Sequence, residues 1–184
     1  LWMALIIAQT QLISARKHVV HMQLGKLVVQ FALLMIPVMY LTAVWQVARA
    51  NQPPFTDPLT WTIVPLASII PFAVLVWSGW SHRRDVQFHK RIMLSAAIMV
   101  VMGPSIGRLP LAPPTTLGIS ILLLLGLALF IPLLLWDRKT IGRAHPATKL
   151  GFALASITVA IPLAVFWLNL PWAKVAAHLP GVGA

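Results

Sequence analysis

Long apolar runs cut by short, charged breaks make up most of this chain, and that alternation leaves few folds open to it. A helix crossing the hydrocarbon core of a bilayer needs about 20 mostly apolar residues. On that scale the sequence predicts transmembrane helices over Leu24–Trp45, Leu59–Trp80, His89–Leu109, Thr115–Trp136 and Ala147–Leu170. An apolar segment from Leu1 to Ala15 precedes them and is too short to span. Because the sequence opens on Leu, the rest of that first helix is expected upstream of Leu1. The expected fold is all-α, an integral membrane bundle of about six helices, forming one domain over residues 1–184. Beyond Leu170, Pro171-Trp172-Ala173-Lys174 and the small-residue tail are expected at the membrane interface.

Composition excludes the soluble alternative. Charged residues make up 9% and hydrophobic residues 59%, with a mean hydropathy of +0.88. A soluble domain carries roughly 25% charged residues to cover its surface; this chain has too few, so its expected solvent and first partner is lipid. The net charge of +11 would ordinarily point to nucleic acid. Here the cations sit in the breaks between apolar runs, which the positive-inside rule explains better, and no nucleic-acid partner is expected. One set of breaks holds Arg16, Lys17, Lys26, Arg83, Arg84, Lys90, Arg91, Arg138, Lys139, Arg143 and Lys149; the other holds Arg49, Arg108 and Lys174. This asymmetry predicts that loops 1, 3 and 5 are cytoplasmic and that both ends of the sequence lie outside. Tryptophans agree: Trp77, Trp80 and Trp136 fall near the inner ends of their helices, and Trp45, Trp61, Trp167 and Trp172 near the outer ends.

Enzyme chemistry finds little footing. There is no cysteine, hence no thiolate nucleophile, disulfide or iron–sulfur ligand. Paired carboxylates, a His-Glu-x-x-His helix, a phosphate-cradling glycine loop and a Gly-x-Ser-x-Gly elbow are all missing, and no catalytic residue is assigned. The acids are Asp57, Asp85 and Asp137, all read as lying in or beside loops. An ion-driven transporter usually keeps a carboxylate within the bilayer, so that class is disfavoured.

The histidines are the candidates for a cofactor. His21, His89 and His145 each open an even-numbered helix, and each is followed 15 to 17 residues later by a proline, Pro37, Pro104 or Pro162. The repeat is that of three parallel hairpins, a decayed triplication, with chance recurrence of proline as the competing explanation. Imidazoles on facing helices can ligate haem iron; no metal site of other kinds is expected. The blander account is that these are interfacial histidines, because Lys90 and Arg91 beside His89 must snorkel to water or phosphate. A third account gathers Lys26, Lys90, Arg91 and Arg143 into contacts with an anionic headgroup or ligand. Topogenic charge is the plain alternative. Gly103 and Gly107, four residues apart, are expected in a close helix–helix contact. Gln9, Gln11 and Gln30 are expected to hydrogen-bond across the first helix pair.

Three stretches carry a resemblance. LISARKHVVHMQLGKL from Leu12, FHKRIMLSAAIMVVMGPSIGRLP from Phe88 and DRKTIGRAHPATKLGF from Asp137 resemble an uncharacterised family of bacterial multispanning inner-membrane proteins. The family's motifs are His-x-x-Leu-Gly, His-Lys-Arg-x-Met and Arg-x-His-Pro-Ala. The resemblance spans nearly the whole chain. It implies the same helix count, an inner-membrane location, and His21, His89, Lys90, Arg91, Arg143 and His145 as recurrent polar positions. Met22 departs from the pattern, where the family tends to have Arg. The resemblance brings no activity with it. The expected role is an accessory or assembly subunit packing against other membrane proteins, lipids or pigments. The alternatives are a haem- or quinone-associated electron-transfer subunit and a small-solute or lipid transporter.

Overall fold

In a computed structural model, residues 2–102 and 112–182 are described. They form α1 (Trp2–Ser14), α2 (His18–Ala48), α3 (Pro58–Trp61), α4 (Ile63–Leu66), α5 (Ile69–Ser81), α6 (Val86–Val101), α7 (Thr116–Ala128), α8 (Ile131–Ile141), α9 (Pro146–Trp167) and α10 (Trp172–Ala176). Among the described residues there is no strand. Four stretches are long and apolar enough to cross a membrane: His18–Ala48, Pro58–Ser81, Thr116–Ile141 and Pro146–Trp167. This is the makeup of a multi-pass membrane protein. α1, with 13 residues, and α6, with 16, fall short of that length. The described helices therefore supply four spans of full length where six were expected.

Proline decides where the apolar runs break. The run expected over Leu59–Trp80 is one span, Pro58–Ser81, with short interruptions that divide it into α3, α4 and α5. Pro65 lacks the N–H that would reach the carbonyl of Trp61, where α3 ends, and Pro71 lacks the one that would reach Ala67, just past α4. Each proline ring also crowds the carbonyl four residues back. The Ala67 carbonyl left over finds the Thr158 hydroxyl of α9 at 3.5 Å. The run over Thr115–Trp136 breaks in the same way. Pro132 cannot bond Ala128, and α7 stops there. Pro37 and Pro162, by contrast, lie inside unbroken helices.

α6 and α9 cross at the centre of the bundle, with α5 against α6 and α2 against α5. The core joins Phe72, Leu75 and Val76 of α5, Ile92, Ala96 and Met99 of α6, Leu133 of α8 with Phe130 just before it, and Ala155 and Val159 of α9. The α6–α9 crossing is close because Gly151 faces Ser95: a Cβ at Gly151 would lie 2.5 Å from Ser95 Cβ. Close approach of this kind is the usual way helices associate in lipid, where no hydrophobic force drives them together. Gly103 and Gly107, the expected contact, lie outside the described residues. The outward faces are apolar, with Leu34 at 62%, Ile70 at 74% and Leu135 at 58% exposure. In water such a surface would be untenable; in a bilayer it is ordinary.

Candidate functional site: a buried ion pair beneath the basic end

The start of α6, the end of α8 and the start of α9 meet at one end of the bundle, and a polar network joins them there. The α5–α6 turn is set by Asp85, whose Oδ1 accepts from the backbone N–H of Phe88 and of Gln87, both at 3.0 Å. Those two bonds, Phe88's first, hold the Asp85 carboxyl below its ordinary range. From this cap α6 presents Gln87, Arg91 and Ser95 at four-residue spacing, one polar stripe along the helix.

Arg91 is 1% exposed and Asp137 is fully buried. Arg91 Nε donates to Asp137 Oδ1 at 2.7 Å, and Arg91 Nη1 donates to the Gln87 side-chain Oε1 at 2.7 Å and carbonyl at 3.0 Å. The other carboxylate oxygen, Oδ2, accepts from the His145 backbone N–H at 2.9 Å and from the Thr148 hydroxyl at 2.5 Å. One carboxylate thus binds α6, its own α8 and the start of α9. The guanidinium also lies 4.7 Å from the centre of the Trp136 ring. Charges taken out of water are tolerable when each is paired and its remaining donors and acceptors are filled. Both carboxylate oxygens are filled here, as are Nε and Nη1 of the guanidinium.

Two expectations are corrected here. Asp137 does not sit in a loop, and Arg91 does not snorkel to the surface. Consecutive helical residues point about 100° apart, because a turn holds 3.6 residues. Lys90 and Arg91 therefore part company: Lys90 is exposed with its Nζ 4.7 Å over the Trp136 ring, and Arg91 turns inward. As a headgroup contact, Arg91 is already spent on Asp137. Lys26 and Arg143 are exposed.

The histidines are occupied at helix ends. The last carbonyls of a helix lack intrahelical partners, and α5 fills its own with side chains. His89 Nδ1 lies 2.7 Å from the Gly79 carbonyl, His82 Nδ1 lies 3.0 Å from that of Ser78, and Arg83 Nη1 donates to that of Trp80 at 3.0 Å. His145 does the converse for α9, its Nδ1 accepting from the Ala147 N–H at 3.2 Å. His21 is held by Gln9 of α1. In the amide orientation that satisfies both sides, Gln9 donates to the His21 carbonyl at 3.2 Å and to its Nδ1, and accepts from the Gly25 N–H at 2.9 Å. This is the interhelical glutamine contact expected of Gln9, whereas Gln11 and Gln30 are exposed. The Phe88 ring lies 4.2 Å from that of His82 and 6.2 Å from that of His145. His21, His89 and His145 share one end of the bundle without gathering at one point. Among the described residues no three His or Asp side chains converge on a position that could hold a metal ion.

The ion pair itself was not foreseen. Its signals are the four-residue spacing of Gln87, Arg91 and Ser95 along α6 and an acid directly after Trp136. Comparison of the chain with protein-family models, with curated proteins and with solved structures finds no match.

Proposed function

We propose that this chain is a six-span accessory or assembly subunit of the bacterial inner membrane, with its basic end in the cytoplasm, whose work is to pack against other membrane components. The observation that carries this reading is the contrast between a polar interior closed on itself and an open apolar flank on α2. Only Val28, Ala32, Ala43, Val44 and Gln46 of that 31-residue helix are buried. Leu27, Leu33, Leu34 and Val38 are at least half exposed, so much of its length is available to a neighbouring helix. His145 Nδ1 accepts the Ala147 N–H and so keeps the ring proton on Nε2, which disfavours that imidazole as an iron ligand in an electron-transfer subunit. The inner-membrane assignment rests on the resemblance in the three motif stretches and on the distribution of cations.

The test is site-specific photocrosslinking in native membranes, with a photoreactive residue at Leu27 or Leu34 of α2 and at Leu135 of α8. Discrete protein adducts from α2 and none from α8 are expected. Adducts to lipid alone at all three positions would remove the accessory role.

A further inference from the structure

Eleven of the 14 Lys and Arg residues lie at the end of the bundle that carries the Arg91–Asp137 pair. Among the described residues that pair is the sole ion pair. Asp85, the other acid at this end, has its Oδ1 engaged in capping α6. The remaining cations of this end are exposed and have no carboxylate partner. Their counterions must come from outside the chain.

Two of these cations are fixed against tryptophan. Lys90 Nζ lies 4.7 Å over the Trp136 ring, and the Arg83 guanidinium lies 4.5 Å over that of Trp80. The buried pair dictates the first of these. Arg91 and Asp137 lock α6 to α8, and their sequence neighbours Lys90 and Trp136 meet one residue away. Neither Trp80 nor Trp136 donates its indole N–H to any described residue, whereas Trp167 and Trp172 at the opposite end donate theirs to Ser120 Oγ and Thr62 Oγ1, each at 2.9 Å. A held ammonium beside an unused indole N–H, on the outer surface of an apolar helix, offers a charge and a hydrogen bond to one phosphate at headgroup depth.

We propose that Lys90 with Trp136 forms a binding site for the phosphate of an anionic phospholipid. The proposal rests on the membrane-embedded reading of the chain but not on its having protein partners, so a failed crosslinking experiment leaves it standing. Free phosphate lacks the acyl chains that the neighbouring apolar helices would cover, and the lipid is therefore the occupant.

The test titrates the detergent-purified full chain with phosphatidylglycerol and with phosphatidylcholine of identical acyl chains, counting bound lipid by native mass spectrometry. Phosphatidylglycerol should be preferred. Its affinity should fall about fivefold for Lys90→Gln. Trp136→Phe leaves a smaller aromatic ring beneath Lys90 and removes the indole N–H; it should also weaken binding. Arg16→Gln with Lys26→Gln, two cations of the same end without a tryptophan partner, should leave the affinity within about twofold, since diffuse attraction is shared by all the cations of that end. Equal binding of both lipids would overturn the proposal. So would an equal loss in the Arg16/Lys26 pair, or inorganic phosphate binding as tightly as the lipid.

Discussion

Arg91 and Asp137 show how far one residue can decide what its neighbours do. Removing one partner of a buried pair leaves an uncompensated charge, which costs about 3–5 kcal/mol. Arg91→Leu or Asp137→Asn should therefore lower thermal stability in detergent sharply. The double variant Arg91→Met with Asp137→Leu should recover most of the loss, because two apolar side chains of similar bulk need no solvation. Melting curves followed by size-exclusion peak height would show both effects. A double variant as unstable as the singles would mean that the Thr148 and His145 bonds to the carboxylate, and not the ion pair, hold the network. The sequence displayed the basic end and its histidines but not this pairing. Arg91 and Asp137 are 46 residues apart, and nothing local to either announces the other. Reading Lys90 and Arg91 as a unit followed from their adjacency in sequence, which on a helix is a poor guide to direction.

At the level of whole helices, the apolar runs were legible and their interruptions were not. Length and hydropathy place all four full-length spans to within a few residues, apart from α2, which begins six residues earlier than expected at His18. The span expected over Leu59–Trp80 is found as Pro58–Ser81, with interruptions at Thr62 and at Ala67–Ser68, where Pro65 and Pro71 leave out backbone bonds. Pro37 lies deep inside α2, and Pro162 follows several intact turns of α9. At Pro132 the glycine Gly126 sits one turn before the break, and the paired weakness ends α7. The spacing of Gly103 and Gly107 points to a close crossing there, outside the described residues; among the described residues Gly151 meets Ser95 closely. The signal is compositional: Gly151 meets Ser95, and the small residues Ala155 of α9 and Ala96 of α6 are buried in the same core. Gly151→Val should drive α6 and α9 apart and destabilise the bundle by about 1–3 kcal/mol, the usual cost of overpacking. Ser95→Gly in the same chain should restore part of it. A Gly151→Val variant that melts like the parent would mean that α6 and α9 do not pack closely at this point.

For the molecule as a whole, the distribution of charge is the strongest statement the sequence makes, and it concerns orientation as well as fold. The absence of cysteine makes the test direct. Single cysteines at Arg84 and Lys139 should be shielded from an impermeant thiol reagent in intact cells, and one at Asn51 should react. The reverse pattern would invert the bundle and put the Lys90–Trp136 pair on the outer leaflet.

The separation between Arg91 and Asp137 also imposes an order on biosynthesis. At ~5–20 residues per second, the ribosome needs about 2–9 s to make the 46 residues between them. Through that interval the α5–α6 hairpin has already emerged with an unpaired guanidinium on the face destined for the interior. Thr148 and the His145 amide, the other contributors to the network, come later still. The hairpin therefore cannot reach its final depth when it is made. It waits near the polar boundary, or against the insertion machinery, until α8 and the start of α9 arrive. The first half of the chain is finished by the second, and a nascent chain stalled between Arg91 and Asp137 is the form of this protein most exposed to quality control.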